Sequence, residues 1–165
     1  MRVLNYSGSG IETTFTQGED NALQCLLPLM PSSDEPQLLI AGTLADAVED
    51  RFLALFERMG LPPVRCLPPR RSTELPPVGR GTKLLLAQPF LGGTARALQH
   101  RGAELVEAPY PFGVEGSRDW MAAAAAAFGV DPQRVAEVLD PLVERGRRAL
   151  EPHRRVLEGR RLFLM

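Results

Sequence analysis

Near the start of the chain, the stretch NYSGSGIETTFTQGED (residues 5–20) gathers side chains able to bind a ligand or move a proton. Ser7, Ser9, Thr13, Thr14 and Thr16 supply hydroxyls, while Glu12, Glu19 and Asp20 supply carboxylates. Gly8 and Gly10 let the backbone approach a ligand closely. Glu12 lies inside the loop, where burial would suit it to acid–base work. Glu19 and Asp20 fit the start of the following helix, where acids complement the macrodipole. A purely connecting role between strand and helix uses the same residues. A second cluster, YPFGVEGSRDW (Tyr110–Trp120), brackets Glu115 with Gly113 and Gly116. Ser117 there reads as the N-cap of a helix whose amino end can accept an anionic group or simply be capped.

Several chemistries are disfavoured. SGSGIE holds only G-x-G, and no G-x-x-x-x-G-K-[ST] occurs, so a nucleotide site within the chain is not expected. His100 and His153 fall on different helices without metal-ligand spacing. Cys25 and Cys66 sit far apart in apolar surroundings and read as reduced, buried thiols, too few for an iron–sulfur cluster. The arginine pairs Arg70-Arg71 and Arg147-Arg148 read as solvated. A net charge of -1 gives no electrostatic reason to expect nucleic acid as a partner. No apolar run reaches the ~20 residues of a membrane span, and the amino end does not read as a signal peptide.

The elements that must position these residues follow from periodicity. RVLN (Arg2–Asn5), QLLIAG (Gln37–Gly42), VRCL (Val64–Leu67), KLLLAQ (Lys83–Gln88), AELVEA (103–108) and RRLFLM (160–165) read as strands. Leu23, Leu26, Leu27 and Met30 share one helical face, ended by Pro28 and Pro31. Thr43 with Asp46 resembles a capping box, and Val48, Phe52, Leu55, Phe56 and Met59 form the stripe of a helix stopped by Gly60. Residues 68–82 read as an extended loop, and 92–102 as a short helix. A helix runs from Ser117 through Trp120 to Phe128. Asp131-Pro132 and Asp140-Pro141 each read as an N-cap followed by proline, which predicts two helices in tandem. The alternation predicts an α/β, Rossmann-like doubly wound and mainly parallel sheet. Residues 1–158 would form this domain, and 159–165 would begin another, cut short.

The opening stretch, together with LPLMPSSDEPQLLIAGTLADAVEDRF, STELPPVGRGTKLLLAQPFL and PYPFGVEGSRDWM, resembles the N subunits of light-independent (dark-operative) protochlorophyllide reductases, a nitrogenase-like family. The resemblance runs along the whole chain but covers only the central portion of such a subunit. It implies a soluble enzyme of a cyanobacterial cytoplasm or plastid stroma that reduces the ring D C17=C18 double bond of protochlorophyllide. It implies a heterotetramer with a homologous B subunit, and a [4Fe-4S] cluster with ligands outside this segment. The electrons would come from a separate L protein, an ATP-hydrolysing iron–sulfur reductase. By the same analogy, Asn5, Tyr6, Ser7, Gly8, Ser9, Glu12, Thr13 and Phe15 would line the wall between cluster and pigment. Asn5, Tyr6 and Ser7 would face the cluster, and Glu12, Thr13 and Phe15 the pigment. The resemblance carries over no catalytic acid and no metal ligand. A non-catalytic assembly scaffold on the same template and a small-molecule binding domain are the alternatives.

Overall fold

The near-continuous apolar runs of the two central strands decide the architecture. In the computed structural model, which describes residues 14–161, strands β1 (Gln37–Ala41), β2 (Val64–Leu67), β3 (Thr82–Leu86) and β4 (Glu104–Leu105) form one parallel sheet in the order β2-β1-β3-β4. All five residues of β1 are buried, as expected for a strand covered on both faces. Leu38, Ile40, Leu85 and Ala87 point into one core, and Leu39, Ala41, Leu67 and Leu84 into the other.

Helices fill both layers. α2 (Asp46–Met59), α4 (Gly113–Ala127) and α5 (Pro132–Leu157) cover the first face. Trp120 of α4 is fully buried there, its ring centroid 4.9 Å from Phe52 and 5.8 Å from Phe56. Its indole N–H donates to the Leu86 carbonyl at 2.7 Å, which fixes α4 to the end of β3. The other face is covered by α1 (Phe15–Leu26), its 3-10 extension Leu27–Leu29, and α3 (Gly92–His100). This layered, parallel α/β arrangement matches the sequence expectation.

Several local expectations are corrected. Thr43 and Asp46 form no capping box: the α2 N-cap is Ala45, without a side-chain cap, and Asp46 already lies in the first turn. Ser117 lies inside α4, which begins at Gly113 after the N-cap Phe112. Asp131 does cap α5, accepting from Gln133 N at 3.0 Å, but Asp140-Pro141 starts no new helix. α5 continues through Pro141 because burial of Val135, Val138, Leu139 and Val143 outweighs the lost hydrogen bond, and Asp140 pairs with Arg118 instead. The strand expected at 103–108 narrows to Glu104–Leu105, and the helix expected over 92–102 ends at His100. The expected strand Arg2–Asn5 and residues 162–165 of the last one lie outside the described residues.

The connection from β2 to β3 crosses β1 as a loop, stitched to the segment before β1. Val78 N donates to Pro31 O at 3.0 Å, Ser33 N to Val78 O at 3.3 Å, and Arg80 N to an Asp34 carboxylate oxygen at 2.7 Å. Gly81 is pressed against this segment: a Cβ there would meet the Asp34 carbonyl oxygen at 2.1 Å and that of Glu35 at 2.6 Å. Gly81→Ala is therefore expected to destabilise the fold by about 1–3 kcal/mol through backbone overlap. Gly92→Ala, whose Cβ would have only the Arg96 guanidinium at 3.6 Å, is expected to leave stability unchanged or slightly raised. Urea-unfolding midpoints of the two variants check this, and equal midpoints would contradict it.

Candidate functional site at the carboxyl edge of the sheet

In an open parallel sheet, ligands bind where neighbouring strands send their connections to opposite faces. Here β1 leads to α2 on one face and β3 leads to α3 on the other, so the crevice lies between the carboxyl ends of β1 and β3. Its walls are Gly42 and Thr43 after β1, Gln88 and the start of α3 after β3, and the first turns of α1.

The side chains here hold each other through backbone groups. The Gln88 amide clasps Thr43 from both sides: Gln88 Oε1 accepts from Thr43 N at 3.1 Å, and Gln88 Nε2 donates to Thr43 O at 3.0 Å. Gly42 permits this closeness, with φ +131° and room for no Cβ, since one would lie 2.5 Å from Gln88 Oε1. Glu19 reaches the same point from α1, its Oε1 accepting from Thr43 N at 3.2 Å.

Asp20 makes the central connection. The residue is 5% exposed; its carboxylate accepts from Gly93 N at 2.9 Å and Thr94 N at 2.8 Å, while its own carbonyl accepts from Thr94 Oγ1 at 3.2 Å. α3 begins at Leu91, Gly92 and Gly93 with no side-chain cap of its own, so its amino-terminal N–H groups take an acceptor from another helix. The carboxylate also sits favourably at the positive end of the α3 dipole. Glu19 and Asp20 thus do not cap the start of their own helix, as the sequence suggested: they lie in its second turn, and Thr14 caps α1 instead. Arg101, just past α3, makes the converse link at the other end, donating to the carbonyls of Leu27, Met30 and Pro31.

Of the predicted site residues, Asn5, Tyr6, Ser7, Gly8, Ser9, Glu12 and Thr13 lie outside the described residues. Phe15 is not in a loop: it is the first residue of α1 and is 83% exposed. α1 runs alongside α3, with Asp20 at the α3 amino end and Leu27 beside Arg101 at the other, so Thr14 and Phe15 stand at the carboxyl edge of the sheet. The second predicted cluster is divided. Tyr110 and Phe112 remain in a loop, their rings 6.3 Å apart, whereas Glu115 is in α4 and pairs with Arg147 of α5 at 3.0 Å. That pairing holds the Glu115 carboxyl below its usual range, chiefly through the hydrogen bond from Arg147.

The arginine pairs are likewise unequal. Arg70 is exposed, as expected, and is also held by Glu49 at 2.9 Å, Asp50 at 2.6 Å and Asp46 at 3.8 Å. Arg147 also pairs with Glu144. Neither cysteine forms a disulfide among the described residues, and both are half-buried rather than buried. Burial, followed by the neighbouring Glu49 carboxylate, pushes the Cys66 thiol up to about 12. His100 and His153 are exposed.

These features place the chain in a class. It belongs to the nitrogenase component 1 type oxidoreductase family, whose profile matches residues 1–165. Among individual proteins it is similar to the light-independent protochlorophyllide reductase subunit N of Synechococcus sp. (strain RCC307), at 70% identity over 165 residues, and to that of Parasynechococcus marenigrum (strain WH8102), at 67%. The subunit N of Prochlorococcus marinus (strain MIT 9313) is 62% identical. All of this chain is matched in each case, but it spans only 39–40% of the relatives' length.

The family implies a metal–sulfur cluster in the complete enzyme, and the described residues do not fit one. Among them no group of three or more His, Cys, Asp and Glu converges as a metal site. No helix among them is long and apolar enough to cross a membrane.

Two outcomes follow. Asp20→Ala leaves the buried Thr94 N–H and the part-buried Gly93 N–H unpaired and is expected to cost about 2–4 kcal/mol of stability, read from urea unfolding. At pH 8, Cys66 in the folded chain is expected to react with iodoacetamide about a thousandfold more slowly than free cysteine, because its thiolate fraction is that much smaller. Peptide mapping of the alkylated protein reads the rate, and a rate near that of free cysteine would contradict it.

Proposed function

We propose that this chain acts as the central domain of the N subunit in the catalytic component of a light-independent protochlorophyllide reductase. That enzyme reduces the ring D C17=C18 double bond of protochlorophyllide to give chlorophyllide a. The observation carrying this reading is identity of 62–70% to subunits of that name, sustained along all 165 residues. In the reading, a homologous B subunit completes a heterotetramer, and an ATP-hydrolysing iron–sulfur L protein supplies electrons to a [4Fe-4S] cluster. In this reading the cluster ligands come from outside this segment. The setting is a cyanobacterial cytoplasm or plastid stroma. Residues 1–158 make up the domain, and 159–165 begin the next.

The chain's own contribution is positional. Asn5, Tyr6, Ser7, Gly8, Ser9, Glu12 and Thr13, continuing into Phe15, contribute to the wall between cluster and pigment. Asp20 and Glu19 anchor α1 to α3 and to Thr43, and so hold the end of that wall at the carboxyl edge. Phe15 offers an exposed ring to a flat apolar pigment. No general acid is assigned to this domain.

The test places this segment within the subunit N of the Synechococcus RCC307 relative, in place of its matching residues. The chimaera, assembled with its B subunit, the L protein and ATP in the dark, is expected to convert protochlorophyllide to chlorophyllide, followed by absorbance. A correctly assembled chimaera without turnover would overturn the reading. Within an active chimaera, Phe15→Ala is expected to raise KM for protochlorophyllide about tenfold, with kcat little changed. An unchanged KM would remove Phe15 from the pigment wall.

A further inference from the structure

The helical layer opposite α1 and α3 carries a groove that the reductase reading does not use. It has a volume of about 310 Å³ and opens between α2, α4 and α5. Phe52, Leu55, Met121, Leu139, Leu142 and Val143 give it an apolar lining, and three arginines, Arg51, Arg118 and Arg145, join them. The apolar surface extends beyond the groove. Val48, one turn before Phe52 on α2, and Phe112, next to the lining residue Gly113, are both exposed.

The three guanidinium groups are not equivalent. Arg118 is neutralised by Asp119 at 3.0 Å and Asp140 at 3.6 Å. The nearby carboxylates Glu115 and Glu144 are held by Arg147. Arg51 and Arg145 have no ion-pair partner among the described residues, so the uncompensated charge beside the apolar floor is positive. Arginine lays its aliphatic stem along apolar surface and offers a planar fork that matches a carboxylate. The volume lies at the lower end of small-molecule sites, roughly 300–1,000 Å³, which are mostly apolar with a few polar groups fixing orientation.

We infer that this groove binds a small amphipathic carboxylate, its alkyl or aromatic body on the Phe52–Leu142 floor and its carboxylate against Arg51 and Arg145. An inorganic anion would leave the apolar floor wet, and an amphipathic cation would meet the two unpaired guanidinium groups.

The chain carries its own reporter. Trp120 is its only tryptophan, and its ring packs 4.9 Å from that of Phe52, which lines the groove. Decanoate titrated into the 165-residue protein is expected to change Trp120 emission saturably, whereas decylammonium, with the same tail, is not. Arg51→Gln combined with Arg145→Gln, both exposed positions, is expected to weaken decanoate binding about tenfold or more while leaving the unliganded emission spectrum unchanged. Ser117→Phe, which fills the groove from α4, is expected to abolish the decanoate response. Absence of a saturable response, equal responses to decanoate and decylammonium, or unchanged affinity in the double arginine variant would each overturn the assignment.

Discussion

One buried carboxylate governs how the two halves of the α1–α3 layer meet. Asp20 leaves one helix and satisfies the first N–H groups of another, so the start of α3 is completed by a residue more than seventy positions earlier. Buried backbone donors must find acceptors, and α3 has no local side chain to offer them. Arg101 performs the opposite service for the carbonyls at the far end of the α1 layer. An acid at one end and a base at the other match the polarity of two parallel helices. The pair therefore sets the axial position of α1 as well as its attachment.

That position matters because the carboxyl edge is built from three separate segments. Thr43 follows β1, Gln88 follows β3, and Glu19 belongs to α1, yet all three meet at one backbone amide. Trp120 ties the same end of β3 to the opposite layer through the Leu86 carbonyl. The edge is thus tied to both helical layers, and its Glu19 and Asp20 carboxylates and its Gln88 amide are all engaged with backbone groups. An edge of this kind, among the described residues, is suited to holding neighbouring groups in place.

The layered fold was legible in the sequence because its signal is repetitive. QLLIA and KLLL can be read as strands from their apolar runs alone, and the Phe52, Leu55, Phe56 and Met59 stripe gives α2 its buried face. The edge was less legible because its decisive contacts join residues remote in sequence. Glu19-Asp20 looks like a local helix-start pair, and only the folded chain shows that Asp20 completes α3. A partial clue was present: the LGGT start of α3 lacks a good capping side chain, which requires an acceptor from elsewhere. Asp140-Pro141 misleads for the complementary reason. Its local signal is a helix start, but the continuous apolar face from Val135 to Val143 overrides it. The resemblance drawn from the opening stretch and its three companions named the family correctly, since that information lies in particular residues rather than in periodicity.

α5 is supported unequally along its length. Its first half is clamped by buried Val135, Val138, Leu139 and Val143, and Arg134 donates to the carbonyls at the end of α2. Beyond Arg147 every residue to Leu157 is exposed, and the surviving side-chain link within that stretch is the Glu151–Arg155 pair. Ten residues of helix reach about 15 Å. Without tertiary cover, the free energy of local opening must fall along this axis, so amide hydrogens on a single helix exchange on two different timescales. The boundary between them, near Gly146, marks where the packed layer ends and a helical rod begins.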